Sequence, residues 1–531
     1  MERREFLKKA ALGTAALTVG TACVLPKKQR PNIVWIFSDD HAYQAIGAYG
    51  GRLQSLNPTP NIDRLAREGM RFDKFYVGNS ICAPSRASLL TGKHSHLHGK
   101  QTNSGGFDHS QQTFPKLLQQ AGYQTAMVGK IHLSGDQQGF DYWDVLPGQG
   151  DYYQPDFIGA DGKKRIPGYV TDVITDRSLK WLDEDRDKTK PFMLMIHHKA
   201  PHRTWCPPTR HLEKYDDVEI PYPETLFDNY KTRTTAAHDQ DMTIENTLNY
   251  NDLKIKSRTE RDEMFEKMRT SDYVPWGEHG AYYRMTEEQR QVWDAYYDPR
   301  NEEFLKSELE GAELTRWKYQ RYLKDYLRCI YAVDENIGRV LEHLEQEGLT
   351  ENTIVMYSSD QGFYLGEHGW FDKRFMYQES FRTPFIASWP GEIQPGSVNK
   401  DLCQNIDWAE TFLDIAGAAI PEDMQGASLL PLLKGKKPED WRKSLYYHYY
   451  EYPSVHDVRR HEGVVDPRFK LIRFYGPDVP DGEEWELYDL ETDPNELNNI
   501  YNHPKQAGKI AELKQELQRL REYYQVPDGQ G

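Results

Sequence analysis

The chain has 531 residues, 38% of them hydrophobic, enough for one large core and a smaller satellite domain. A net charge of −16 excludes general nucleic-acid binding, so an anionic substrate would need a locally positive pocket in an acidic protein. The five cysteines, Cys23, Cys82, Cys206, Cys329 and Cys403, are too scattered for a disulfide framework or a thiolate zinc site.

Residues 1–29 read as an export signal rather than part of the fold. Arg3-Arg4 and Phe6-Leu7-Lys8 precede a small apolar run, residues 10–22, too short to span a bilayer. The paired arginines resemble a twin-arginine signal, which implies an exported, periplasmic protein. Cys23, after Gly20-Thr21-Ala22, is a candidate for a lipid anchor, which would make the protein a lipoprotein.

Residues 32–37 are continuously apolar, as a buried parallel strand should be, and end in Ser38-Asp39-Asp40. Residues 61–69 follow as an amphipathic helix stopped by Gly69. Ser80-Ile81-Cys82-Ala83-Pro84-Ser85-Arg86 then opens an apolar helix, with a thiol at its start and an arginine one turn on. A thiol there sits in a positive field, and such helix starts suit anions. Residues 113–122 repeat the helix-plus-glycine pattern, and 124–129 form a strand that delivers Lys130 and His132. The strand 191–196 leads to His197-His198-Lys199-Ala200-Pro201-His202.

Residues 225–316, rich in charge, Tyr, Asn and Asp, carry no strand-like run and read as a peripheral insertion with some helix. Residues 322–347 form a long amphipathic helix. The strand 353–357 ends in Ser358-Ser359-Asp360-Gln361, and a strand at 384–389 and a helix at 407–416 follow. Past a break near 434–438, strands at 445–450, 470–475 and 486–490 precede a charged terminal helix. The expected fold is α/β: a large mixed, mostly parallel sheet flanked by helices over 30–434. A smaller antiparallel sheet plus helix occupies 435–531.

In doubly wound sheets ligands bind beyond the carboxyl ends of strands, so these terminal residues should converge. Asp39-Asp40 and Asp360-Gln361 supply four hard oxygen donors, which suit Ca²⁺ better than zinc.

The cysteine motif, Asp39-Asp40-His41, Gly129-Lys130-Ile131-His132, Ala200-Pro201-His202, Asp360-Gln361-Gly362 and Gly366-Glu367-His368-Gly369 resemble the formylglycine-dependent sulfatases. The resemblance covers nearly all of the chain after residue 29. It implies Ca²⁺ held by Asp39, Asp40, Asp360, Gln361 and oxidised Cys82, with Gln361 replacing the commoner Asn. It also implies a partner, a formylglycine-generating or other sulfatase-maturing enzyme, that converts Cys82 to an aldehyde. The hydrated aldehyde would attack sulfur, its ionised form favoured by calcium and Arg86. Lys130 and Lys373 would hold the sulfate oxygens, His202 would protonate the leaving oxygen, and His132 would take the second hydroxyl proton.

The segment Gly366 to Tyr377 resembles the N-acetylglucosamine-6-sulfatases, which implies a sulfated glycan substrate. Asp372, His456 and Arg459 are candidate sugar and anion contacts. Two other functions share these signals: a phosphodiester or phosphonate monoester hydrolase, and a non-catalytic sulfated-glycan binding protein in which Cys82 is never matured.

Overall fold

The computed structural model describes residues 30–270 and 278–527; the export segment, with Cys23, lies outside the described residues. Ten strands form one sheet. Their spatial order is Ser397–Asn399, Met70–Phe72, Phe385–Ser388, Thr353–Ser359, Asn32–Ser38, Phe192–His197, Gln124–Gly129, Tyr142–Val145, Asp156–Gly159 and Gly162–Arg165. The five from Thr353–Ser359 to Tyr142–Val145 run parallel, and Phe385–Ser388 is antiparallel to both its neighbours.

Asn32–Ser38 lies at the centre and is buried at every position, so its side chains alternate between two cores. Val34 and Ile36 enter a core shared with Ile174, Ile330 and Val333 of the helices Val170–Lys180 and Gly311–Gln346. Ile33, Trp35 and Phe37 enter the opposite core, where Trp35 meets Trp408 edge-on at 4.9 Å and Phe412 at 5.2 Å.

The long helix begins at Gly311 rather than at Tyr322. Its early turns carry buried Lys318 and Arg321, each tied to a backbone carbonyl, which hides the apolar periodicity. The outer strand Gly162–Arg165 is exposed throughout and is anchored by ion pairs from Lys163 and Arg165 to Asp156. Such a strand has no hydrophobic alternation to read. Within 225–316, the helices Thr235–Asp239, Arg258–Thr270, Glu278–Arg284 and Glu287–Ser307 are present, and Ile244, Leu253 and Trp293 join the first core.

A second sheet of four antiparallel strands runs Leu445–Tyr449, His461–Val465, Phe469–Tyr475, Glu483–Asp489. One face packs Val464, Leu471 and Leu487 on Leu513, Leu517 and Leu520 of the helix Ala507–Tyr523. The other packs Tyr447, Ile472 and Phe474 on Trp370, Phe375 and Tyr377, and so holds the 370–377 segment in place. Among the described residues no helix is long and apolar enough to cross a membrane.

Candidate active site

Four strand ends and one helix deliver the cluster. Asn32–Ser38 ends at Asp39 and Asp40, Thr353–Ser359 at Asp360 and Gln361, and Gln124–Gly129 at Lys130 and His132. Phe192–His197 leads on to His202, and the wholly buried helix Cys82–Thr91 presents Cys82 and Arg86. Carboxylate oxygens of Asp39, Asp40 and Asp360 lie within 4.8 Å of one another, as do ligand atoms of Asp39, Cys82 and His202.

Three cations are set among these carboxylates. Arg86 Nε donates to Asp360 Oδ2 at 3.0 Å, and its Nη2 lies 3.5 Å from Asp39 Oδ1. Lys130 Nζ donates to Asp39 Oδ2 and to Gln149 Oε1. Lys373 Nζ straddles the Asp40 carboxylate at 2.7 and 2.8 Å. His202 Nδ1 is 2.7 Å from the Arg203 carbonyl, which can only accept, so Nδ1 carries the proton. Its Nε2 is left 3.8 Å from Asp40 Oδ2.

Burial sets the electrostatics. It would raise the Asp39 carboxyl, but the charges of Lys130 and Arg86 hold it well below the usual range. Asp40 is pushed up to about 6 by burial, against the pull of Lys373. Asp360 is pushed up to about 7 by burial and the charge of Asp39. Burial, then Lys130, keeps both His132 and His202 well below the ordinary imidazole value. The Cys82 thiol corrects an expectation. The helix start does not activate it; burial and Asp39 raise it well above its ordinary value.

The donor set fits a hard divalent cation. Asp39 Oδ1 and Gln361 Oε1 are buried without a hydrogen-bond partner, beside three carboxylates, two of which burial has driven toward protonation. Gln361 gives its amide N–H to Asp40 Oδ1, leaving the amide oxygen as the orphan.

A second polar group flanks Lys373. Its backbone N–H is accepted by Asp372 Oδ1 at 2.8 Å, and His456 Nε2 lies 3.2 Å from Asp372 Oδ2. Asp241 Oδ1, 2.8 Å from His456 Nδ1, orients that ring. Arg374 Nη2 is 3.9 Å from Asp372 Oδ1, while its Nε and Nη1 are buried without partners. The Arg459 guanidinium pairs with Asp239 Oδ2 at 2.7 Å and with the Asp478 carbonyl. His461 belongs to a strand and accepts the Met376 N–H at 3.1 Å. Asp40, His132, Asp372, Arg374 and His456 all have left-handed backbones, with φ of 65°, 55°, 77°, 104° and 70°. Non-glycine residues take that conformation at a cost that the surrounding packing must hold, and they gather at functional sites. A cavity of about 260 Å³, lined by Gln149, Lys199, His202 and Arg203, opens beside the cluster.

Sequence reading missed Arg374, Gln149 and Asp241. Arg374 stands two positions past Asp372 and could have been found there. The other two come from segments without a motif.

Buried carboxylates, paired cations and two histidines at the carboxyl ends of a doubly wound sheet define a hydrolase site for a charged ester. The family profile described as Sulfatase matches residues 31–418, and that of N-sulphoglucosamine sulphohydrolase, C-terminal, matches residues 366–523. The chain belongs to the sulfatase family and is a sulfuric ester hydrolase. It is 50% identical to the N-acetylglucosamine-6-O-sulfatase of Bacteroides thetaiotaomicron, over 97% of this chain and 91% of that protein. It is 27% identical to the N-acetylglucosamine-6-sulfatase of Homo sapiens, over 82% of this chain and 69% of that one. A solved relative in complex with its substrate D-glucosamine-2-N,6-O-disulfate superposes with a TM-score of 0.89 at 49% identity, covering 94% of this chain and 99% of that one.

Proposed function

We propose that this sulfatase removes the 6-O-sulfate of N-acetylglucosamine in a sulfated glycan, with Cys82 matured to formylglycine and Ca²⁺ bound. The observation that carries the sugar assignment is the Asp372–His456 pair beside Lys373, which offers an acceptor and an imidazole to sugar hydroxyls next to the sulfate-binding cations. The 50% identity with an N-acetylglucosamine-6-O-sulfatase across nearly the whole chain supports it.

Asp39, Asp40, Asp360, Gln361 and residue 82 would hold calcium, which supplies positive charge that favours an anionic oxygen. The matured side chain supplies a hydrated-aldehyde nucleophile where the thiol is inert. Lys130 and Lys373 would bind sulfate oxygens, an incoming anion drawing them from Asp39 and Asp40. His202, with Nδ1 fixed on Arg203, would present Nε2 to the ester oxygen. Burial keeps that imidazole neutral, so it gains its proton only once an anion lies beside it. His132 would take a proton from the nucleophile's second hydroxyl.

Export rests on residues 1–29: we read a periplasmic location from Arg3-Arg4 and the apolar run, and Cys23 is a candidate for a lipid anchor, testable by fractionation and by intact mass. The substrate is tested with 6-sulfated N-acetylglucosamine, 6- and 4-sulfated N-acetylgalactosamine and a 2-sulfated uronate. A preference for the first is expected. Preference for the uronate or the 4-sulfated sugar would overturn the sugar assignment, and faster turnover of a matched phosphate ester would overturn the reaction class.

A further inference from the structure

A second cavity, of about 400 Å³, is lined by residues of the helices Glu287–Ser307 and Gly311–Gln346. It lies across the long helix from the catalytic cluster. Tyr326 on that helix donates to the Asp40 carbonyl and accepts from the Ala42 N–H. Lys324 and Arg328, each two positions away, are turned about 200° from Tyr326 and face the cavity.

The cavity is cationic within a protein of net charge −16. Arg300, Arg321, Lys324 and Arg328 line it, against the carboxylates of Asp216 and Glu303. Arg328 and Arg300 occupy the two oxygens of Asp216, at 2.7 and 2.8 Å. Lys324 therefore has the Asp216 carbonyl, 3.0 Å away, and no carboxylate within ion-pair range among the described residues. Burial, then the charge of Arg328, lowers its pKa. Trp317, half-buried and stacked on Phe304 with centroids 3.8 Å apart, adds an aromatic wall.

We propose that this cavity is an auxiliary saccharide site that binds a sulfated stretch of a glycan chain on Trp317, Lys324 and Arg300. An aromatic surface covers the apolar face of a sugar ring, and cations with spare N–H donors pair with its sulfates. A bare inorganic anion would have no use for the aromatic wall. The choice of sulfate as the anion rests on the catalytic reading above.

Calorimetry of the full-length Cys82→Ala protein with a sulfated tetrasaccharide is expected to show two sites, one lost in Cys82→Ala/Lys324→Gln. In the active enzyme, Lys324→Gln is expected to leave kcat/KM for 6-sulfated N-acetylglucosamine within twofold and to raise KM for the tetrasaccharide at least threefold. A single site in the Cys82→Ala protein, or an unchanged tetrasaccharide KM, would overturn the proposal. So would equal displacement of the sugar by inorganic sulfate or an oligonucleotide. If Lys324→Gln does not fold, amine acylation of the unaltered enzyme decides instead: the tetrasaccharide must protect Lys324 and the monosaccharide must not. Absent turnover of the monosaccharide would count against the catalytic reading alone.

Discussion

At the scale of single residues, the proposed mechanism places activity on Cys82. Its thiol is fully buried and held protonated, so the unmodified side chain is a poor nucleophile. Cys82→Ala should still fold yet lose roughly 1000-fold or more of sulfatase activity, as removal of a covalent nucleophile does. Activity within tenfold of the parent would refute the formylglycine mechanism. Asp372 tests recognition. Asp372→Ala should lose more kcat/KM on 6-sulfated N-acetylglucosamine than on an aryl sulfate, which has no sugar hydroxyls to leave unpaired. His456→Ala should follow more weakly, and equal losses on both substrates would assign Asp372 to Lys373 rather than to the sugar.

Among elements, the helix Pro60–Arg67 depends on a residue 273 positions away. Its own Thr59 makes no side-chain cap, and instead Asp334 accepts the N–H groups of Asn61 at 3.0 Å and Ile62 at 2.8 Å. Asp334→Ala leaves both donors unpaired, the Ile62 N–H fully buried, and should cost about 2–4 kcal/mol, read as a lower melting temperature. Asp334→Asn, which keeps an acceptor, should cost less. A pH-dependent link ties the 225–233 segment to the helix Gln378–Phe381 through His368, whose Nδ1 lies 2.9 Å from Asp228 Oδ2 and Nε2 3.7 Å from Glu379 Oε2. Burial alone would lower this imidazole, but the two carboxylates raise it to about 9. Because the folded value exceeds the ordinary 6.5, the stabilisation is complete below pH 6.5 and is lost as pH rises through 9. His368→Gln should therefore melt lower than the parent at pH 6 and converge with it near pH 9.5. A constant gap across that range would refute the ion pair.

Legibility followed from the same physics. Parallel strands buried on both faces are continuous apolar runs, so Asn32–Ser38 and Thr353–Ser359 announced themselves and their polar ends marked Asp39, Asp40 and Asp360. Edge strands such as Gly162–Arg165 hold together by ion pairs and leave no such trace. Asp241 acts through a contact 215 positions off, with His456, and local pattern carries no sign of that pairing.

For the whole molecule, the proposed calcium site would bear on stability as well as chemistry. Three buried carboxylates repel one another, and a cation bound only in the folded state stabilises it by mass action. Prolonged chelation should lower both activity and melting temperature, with calcium restoring both. An unchanged melting curve in metal-free protein would refute the site. The burial of Cys82 also has a consequence in time. Gln361, whose amide nitrogen lies 4.0 Å from the thiol sulfur in the buried pocket, is encoded 279 positions later. At about 5–20 residues per second, a ribosome leaves the cysteine on an open chain for tens of seconds before the pocket can form. The proposed maturation of Cys82 would thus have a window that opens with synthesis and shuts with folding. Protein made without a maturing enzyme should resist alkylation at Cys82 until it is denatured, and once folded it should be beyond rescue.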